Sequence, residues 1–371
     1  MEITGKIEEN GEIGKTSSKI NFEKYGIISE CKLEKILSGI RNVKVALVGD
    51  LCLDVYWLAD MRKSELSRET PHYPLPVVQE RMSPGAAGNV VLNMASLEPE
   101  KVFVIGIIGK DWRGDILRAL LAGKECVDTG GIVISSTRVT EAYCKPLRKG
   151  ISDVVYEDPR IDFQNYQPPS SEEEEKVIYS LEQAAGKVDV ICVCDQSMYG
   201  CITPVVRNKL IKLGEDGHRI IVDSRYRIGL FRNVVLKPNE VECWRAVYGK
   251  DSELEVSLEE QVSAAVALSV NNDAKVCVTL GARGCVCADG DKATYVPSFE
   301  VKPPIDICGA GDTFLSAFSL AVASGARVEA HEAASFANMA ANISITKIGT
   351  TGTASSEEIR KRYREITMAA G

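Results

Sequence analysis

The stretch DICGAGDTFLSAF, Asp306 to Phe318, places three small residues, Gly309, Ala310 and Gly311, directly before Asp312 and a segment of helical character. A serine or carboxylate cap alone would start a helix. Small residues do something further: they let the backbone approach a ligand closely. The first N–H groups of a helix have no internal partners, and with the helix dipole they make an anion hole. A carboxylate facing such a hole is not the preferred anion there. Its useful task is to take a proton from a hydroxyl held beside a bound phosphate. On the motif alone, a Gly-rich loop capped by Asp312 has equal standing.

Working outward, TLGARG, Thr279 to Gly284, leaves a strand through a Gly-rich turn. KPNEVE, Lys237 to Glu242, ends a strand and opens a helix. Asn239 and Glu242 lie three apart, on one helical face, where an amide and a carboxylate can hold a hydrated magnesium ion and a phosphate oxygen. The same pair also reads as an N-cap and its capping box.

Around these motifs, strand-like runs alternate with helical ones. VKVALVGD, KVFVIGIIG, VDVICVCD, RIIVDS, NVVLKPN and KVCVTLG read as strands, and WRGDILRALLAG, TPVVRNKLIKLGEDG and SLEEQVSAAVALSV as helices. FLSAFSLAVASG and HEAASFANMAANISITKIG read as long apolar helices. The expectation is an α/β fold with a doubly wound, mostly parallel sheet flanked by helices, binding ligands at the carboxyl ends of its strands. Two segments break the rhythm, Asp54 to Gly85 and Gly130 to Arg160; they alternate, carry Pro, and predict a small antiparallel lid sheet. Residues 1 to about 40 read as an N-terminal extension and 41–371 as one large domain, although CKLEKILSGIR has helical spacing and can pack on the body. SSEEEEK, from Ser170, reads as a solvated helix start.

The 371 residues carry 44 basic and 52 acidic side chains, a formal charge of −8, which excludes a general polyanion binder and so predicts no nucleic acid partner. No apolar run is long enough to cross a bilayer, and the charged start MEITGKIEEN is not a signal peptide, so no membrane partner and a cytoplasmic location are expected. The 12 cysteines include Cys192/Cys194 and Cys285/Cys287 in apolar runs but no CxxC, which predicts reduced strand residues and no structural zinc.

GAGD, NxxE and TxGxxG in this relative order resemble the PfkB (ribokinase-like) family of carbohydrate kinases. SPGAAGNVVLNMASL from Ser83 is similar to that family's Gly-rich substrate signature, and GKDWRG from Gly109 to its GxDxxG turn. The resemblance runs from about Val43 to the end. It implies ATP-dependent phosphorylation of a hydroxyl on a sugar or sugar phosphate, with Mg2+. Asp312 matches the catalytic base, and Gly309, Ala310 and Gly311 match the anion hole. Asn239 and Glu242 match the Mg-ATP motif, with Glu242 on the metal side. Thr279, Gly281 and Gly284 match the nucleotide loop, and Asn338 a position beside the adenine. Asp54, Gly85 and Asn89 match sugar contacts, with Lys145 a candidate cation for the substrate; Arg148 and Arg225 are further candidates. Many members carry a monovalent-cation (K+) loop, matched by Asp306, Cys308, Ser344, Lys347, Gly349 and Thr353, mostly through backbone oxygens. Ile307 and Cys308 stand where the family usually has Thr.

Within the family the likeness is to the kinase half of enzymes acting on heptose 7-phosphate for ADP-heptose synthesis. GDLCLDVYW and ITKIGTTGT carry it. The Lys-containing DYxKG of that group is replaced by DQSMYG, Asp195 to Gly200, and no adenylyltransferase-like stretch follows. The family also implies a homodimer joined through the lid, with YPLPVV as contact. Two other readings stay open: a nucleoside or other small-alcohol kinase of the same fold, and a non-catalytic sugar- or nucleotide-sensing module. A Rossmann dehydrogenase does not fit, since GDLCLD rather than GxGxxG follows the first strand.

Overall fold

The computed structural model describes residues 22–152, 154–252 and 256–370. Strands and helices are numbered in chain order. The chain enters through β1 (Phe22–Lys24) and α1 (Glu30–Ile40), then β2 (Lys44–Gly49) and β3 (Leu51–Asp60). β4 (Val77–Ala86), α2 (Ala87–Ser96), β5 (Lys101–Gly109), α3 (Trp112–Ala122) and β6 (Val127–Ser135) follow. Next come β7 (Glu141–Lys149), β8 (Val155–Glu157), β9 (Ile161–Phe163), α4 (Ser171–Ala185), β10 (Val190–Asp195), α5 (Pro204–Glu215) and β11 (Ile220–Ser224). β12 (Val235–Leu236), α6 (Glu240–Tyr248), α7 (Leu258–Asn272), β13 (Lys275–Thr279), β14 (Cys285–Asp289) and β15 (Lys292–Val296) complete the strands. Helices α8 (Ala310–Ala323), α9 (Ala330–Ser344) and α10 (Ser356–Ala370) close the chain.

Ten strands form one sheet in the order β1-β15-β14-β13-β12-β11-β10-β2-β5-β6. All its pairs are parallel except β13–β14 and β14–β15. The central runs KVALVG and VICVCD are buried on both faces, as continuous apolar strands require. Their alternate residues feed two cores: Val45, Leu47 and Cys192 face one apolar cluster with α1, α8 and α9, while Ala46, Val48 and Ile191 face another with α4, α5 and α7. Helix starts follow the caps written in the sequence: Ser170 and Glu173 form a capping box on α4, and Thr203 caps α5.

The doubly wound sheet is therefore as expected, but two boundaries are not. The extension expected up to residue 40 does not stop there: residues 22–40 belong to the body. β1 pairs in parallel with β15, and α1 buries Leu33, Ile36, Leu37 and Ile40 at the spacing of one helical face. A three-residue strand at a sheet edge has too little pattern to be read from sequence. The rest of that expectation, residues 1–21, lies outside the described residues. The second correction concerns the lid. Gly130–Ser135 was expected in it; instead it lies in β6, the edge strand of the large sheet beside β5. β-branched residues suit either sheet, so composition could not assign them.

The lid proper is β4-β3-β7-β8 with β9 also on β7. Its pairs are antiparallel except β3–β7, which is parallel. β2 runs into β3 across Asp50, whose carboxylate accepts the backbone N–H groups of Gln196 (2.8 Å), Ser197 (2.7 Å) and Cys201 (2.8 Å). Burial first, then the nearby Asp195 carboxylate, pushes Asp50 up to about 7. That knot fixes the angle at which the lid leaves the main sheet.

If residues 22–40 are structural, Ile36→Ala, made at a fully buried position, lowers the unfolding free energy by about 2–5 kcal/mol. The urea midpoint reads this. A loss under about 0.5 kcal/mol, the value of a surface site, would place α1 outside the core.

Candidate active site

Asp312 is the third residue of α8, whose N-cap Gly309 has φ 79°, a left-handed conformation natural to glycine. A Cβ there would also lie 2.9 Å from Asn89 Nδ2. The Ala310 N–H turns back to the Ile307 carbonyl at 3.2 Å, so Gly311 and Asp312 supply the unpaired first-turn N–H groups. Of the three positions expected in an anion hole, Gly309 makes the left-handed turn, the Ala310 N–H is turned back, and Gly311 keeps a first-turn N–H.

Asn89 Nδ2 donates to Asp312 Oδ2 at 2.7 Å. Asn89 is fixed in turn, because Asn93 Nδ2 donates to its carbonyl at 2.9 Å and the Thr313 hydroxyl donates to Asn93 Oδ1 at 2.8 Å. The Ser316 hydroxyl donates to the Val90 carbonyl at 3.0 Å. Helices α2 and α8 are thus zipped together beside the carboxylate. Burial pushes the Asp312 carboxyl up to about 7; Asn89 opposes this, while Asp223 and Asp54 add to it and Lys237 subtracts. Asp312 is half-buried and has no salt bridge among the described residues.

Asp54 enters from the lid side. It is the fourth residue of β3, within the strand. Gly85 on β4 stands diagonally from it, where a Cβ would come within 2.6 Å of Asp54 Oδ2. Lys145 Nζ lies 3.7 Å from Asp54 Oδ1 and donates to the Tyr56 hydroxyl at 3.0 Å. Burial raises the Asp54 carboxyl above its ordinary range, against the pull of Lys145 and Arg160. Cys308 sits among Lys145, Asp306, Asp54 and Asp312, each of which acts on its thiol. One end of the candidate site therefore gathers Asp54, Lys145, Asn89 and Asp312. The other two candidate cations are elsewhere: Arg148 is paired with Asp158 at 2.7 Å, and Arg225 is exposed against Tyr226.

The second end lies at β12 and β13. Asn239 and Glu242 do form a capping box: Asn239 Oδ1 accepts the Glu242 N–H and Glu242 Oε2 accepts the Asn239 N–H, both at 2.8 Å. Asn239 bridges Thr279, and the Thr279 N–H donates to the Pro238 carbonyl at 3.0 Å, so the two motifs stand side by side. Gly281 (φ 56°) and Gly284 (φ 96°) shape the loop between them. Arg283 pins it through Glu240 at 2.5 Å and the Val256 carbonyl at 2.9 Å. Asn338, on α9, reaches the Val296 (3.5 Å) and Pro297 (3.4 Å) carbonyls and so lies behind the same loop.

Between the two ends stands a pair that motif reading missed. Lys237 Nζ lies 3.1 Å from Asp223 Oδ2, and both residues are buried. Burial alone would lower the Lys237 ammonium; Asp223 and Glu242 overcome it and hold it above its usual value. Glu242 is raised by burial and then by Asp223. Two neighbouring carboxylates plus the Asn239 amide are hard oxygen donors, the set that suits Mg2+. The signal available in the sequence was a Lys at the end of a strand, directly before Pro-Asn.

The cation-loop positions divide. Asp306 accepts the Cys308 and Gly349 N–H groups, each at 3.0 Å, and its own N–H donates to Ile345. Lys347 Nζ donates to the Thr353 carbonyl at 2.6 Å and pairs with Glu358 at 2.7 Å. Ser344 is buried, with its hydroxyl on the Ala341 carbonyl. The loops are closed on one another, and the Thr353 carbonyl is already spent on an ammonium.

Comparison with known proteins identifies the family and the fold. The family described as pfkB family carbohydrate kinase matches residues 44–357. Bifunctional protein HldE of Bradyrhizobium sp. (strain ORS 278) is 30% identical over 346 residues, 91% of this chain and 67% of the relative. HldE of Citrifermentans bemidjiense is 31% identical over 332 residues, 88% of this chain and 64% of the relative. The chain thus spans about two thirds of the length of these relatives. Arabidopsis thaliana ribokinase complexed with ribose and ATP superposes with TM-score 0.62 at 18% identity, covering 86% of this chain and 98% of that one. Escherichia coli phosphofructokinase-2 in complex with potassium gives TM-score 0.67 at 19% identity, covering 88% and 99%. At that identity the structures share the ribokinase-like fold. No helix among the described residues is long and apolar enough to cross a membrane.

The burial of Asp312 makes a direct test. A 13C-detected titration of its carboxyl has a midpoint near 7, against about 4 for an ordinary aspartate. Asn89→Leu moves the midpoint higher, because it removes the hydrogen bond that favours the charged form. A midpoint near 4 in the native protein would show the carboxylate to be solvated.

Proposed function

The chain belongs to the pfkB family of carbohydrate kinases, and from that premise we propose that it phosphorylates a hydroxyl of a sugar phosphate with ATP, using Asp312 as general base. The likeness to HldE favours a heptose 7-phosphate as acceptor. The observation that carries the reading is the Asn89–Asp312 contact at 2.7 Å. It aims a carboxylate without a counter-ion at the start of α8, next to the lid residues Asp54 and Lys145.

In this reading Asp54 and Asn89 hold sugar hydroxyls and Asp312 receives the proton as one hydroxyl attacks. The Gly311 and Asp312 N–H groups hold the transferred phosphoryl group. Lys145 supplies positive charge to an anionic acceptor where DQSMYG offers none. Thr279, Gly281 and Gly284 shape the nucleotide loop, with Asn338 behind it. Glu242, Asp223 and Asn239 would hold Mg2+, which when bound neutralises phosphate charge. Lys237 lies between them and the anion hole and adds a fixed charge for the nucleotide phosphates. The lid excludes water on closing. Its exposed Tyr73, Leu75, Val77 and Val78 make the face through which two subunits would pair.

The monovalent cation has a tethered substitute. The Lys347 ammonium bridges the Thr353 carbonyl and Glu358, while Asp306 stitches the same loop to the one carrying Gly309. We assign the ordering of the anion hole to this internal cation.

Two measurements follow. In a phosphate-transfer panel of sugars, sugar phosphates and nucleosides, turnover is highest on a sugar phosphate, and Asp312→Asn lowers kcat by about 10²–10⁴ with ATP binding kept. Unchanged turnover in Asp312→Asn removes the base assignment, and preference for a nucleoside replaces the acceptor. Separately, the native enzyme has equal activity in K+ and in a bulky organic cation, whereas Lys347→Met loses about tenfold or more (~1.4 kcal/mol) and regains it with K+ or ammonium. A K+-dependent native enzyme would refute the tethered-cation role.

A further inference from the structure

Outside the candidate active site, three cysteines converge. Cys277 on β13 is the cross-strand partner of Cys287 on β14, and Cys285 lies two residues before Cys287 on the same face. Their three sulfurs all lie within 4.8 Å of one another, and the Cys277 and Cys287 sulfurs are 3.6 Å apart. Cys277 and Cys285 have no exposed surface and Cys287 is 6% exposed. No fourth His, Cys, Asp or Glu joins the group among the described residues. The hairpin they occupy flanks the nucleotide loop: Thr279 follows Cys277 by two residues, and Cys285 directly follows Gly284. Asn338 Nδ2 approaches the Cys285 sulfur at 3.9 Å.

We propose that Cys277, Cys285 and Cys287 form a three-sulfur site for a trivalent metalloid, As(III) or Sb(III), whose occupancy weakens nucleotide binding. Charge decides between the soft ions that three thiolates attract. Cu(I) on three thiolates leaves a net charge of −2 and Zn2+ leaves −1, in an apolar core where unpaired charge is costly. Zn2+ also needs a fourth ligand in a structural site. A trivalent metalloid on three thiolates is neutral and takes three ligands on one side. The reaction balances without an oxidant: As(OH)3 and three thiols give As(SR)3 and three waters. Three As–O bonds break, three As–S bonds form, and each thiol proton leaves in a water. Reactant and product are both uncharged, so the ligand can enter through local opening of the hairpin and stay in a dry core. Drawing the Cys285 sulfur to arsenic moves the residue after Gly284 and disturbs Asn338. That effect on nucleotide rests on the assignment of the Thr279–Gly284 loop; binding itself does not.

Arsenite added to the full chain tests the site. Arsenic K-edge absorption of the native complex should show three sulfur neighbours and no oxygen, and native mass spectrometry one arsenic gained for three hydrogens lost. Cys285→Ser and Cys287→Ala should each abolish the three-sulfur signature, while the exposed Cys31→Ala keeps it. Binding of a fluorescent ATP analogue should weaken about fivefold or more, the size of an ordinary coupling between sites, and recover with excess dithiol. Two sulfurs with an oxygen, or a three-sulfur signal that survives in Cys287→Ala, would overturn the site even if Cys285→Ser fails to fold. Three sulfurs with unaltered analogue binding would keep the site and overturn its coupling to the nucleotide. Loss of analogue binding before any arsenite is added would instead count against the nucleotide loop.

Discussion

A carboxylate kept without a cation at the start of a helix is the constraint around which this molecule is arranged. Asp312 has the favourable dipole of α8 behind it, yet burial holds its proton affinity near neutrality. A nearby arginine would remove that property by pulling the carboxyl down. The protein supplies a neutral donor instead: the Asn89 amide, itself fixed through Asn93 and Thr313. A neutral donor orients the group without strongly stabilising its charge. The two partners of the buried Lys237–Asp223 pair act on Asp312 with opposite signs, Asp223 raising its carboxyl and Lys237 lowering it.

The lid depends on the same region. β2 and β3 are nearly one continuous run, and the bend between two sheets falls on Asp50. Three backbone N–H groups from the loop after β10 converge on that carboxylate. Gly200 packs directly against it, so the turn DQSMYG is shaped by Asp50 as much as by any ligand. Four residues further on, Asp54 comes near Asp312 from the other sheet. The distance along the chain from Asp50 to Asp54 is short, so the position of the small sheet sets the position of the Asp54 carboxylate.

Much of this was legible because the strongest features obey local rules. Continuous apolar strands, capped helices and the GAGD turn each carry their reason in adjacent residues, and these located Asp312, Asn239 and Thr279. What was not legible depends on partners far apart in sequence. β1 is three residues long and makes sense only beside β15, more than 260 residues away in register (Phe22 with Ala293). Gly130–Ser135 has the composition of either sheet and was settled by pairing with β5. Lys237 stood in view inside KPNEVE, but nothing local announces that Asp223, fourteen residues earlier on a neighbouring strand, will bury it.

The capping box at Asn239 and Glu242 leaves room for the proposed functional role beside its structural one. Each of the two side chains spends one oxygen on the first turn of α6. A carboxylate has lone pairs on two oxygens, so Glu242 still presents Oε1. The cap also locks its rotamer at the point where Asp223 and Lys237 meet it. A free glutamate would lose side-chain entropy on engaging a hydrated ion and phosphate, whereas this one has lost it on folding. In the proposed site, the feature that made the motif ambiguous in sequence, its fit to an ordinary helix start, would also pre-organise it for a nucleotide.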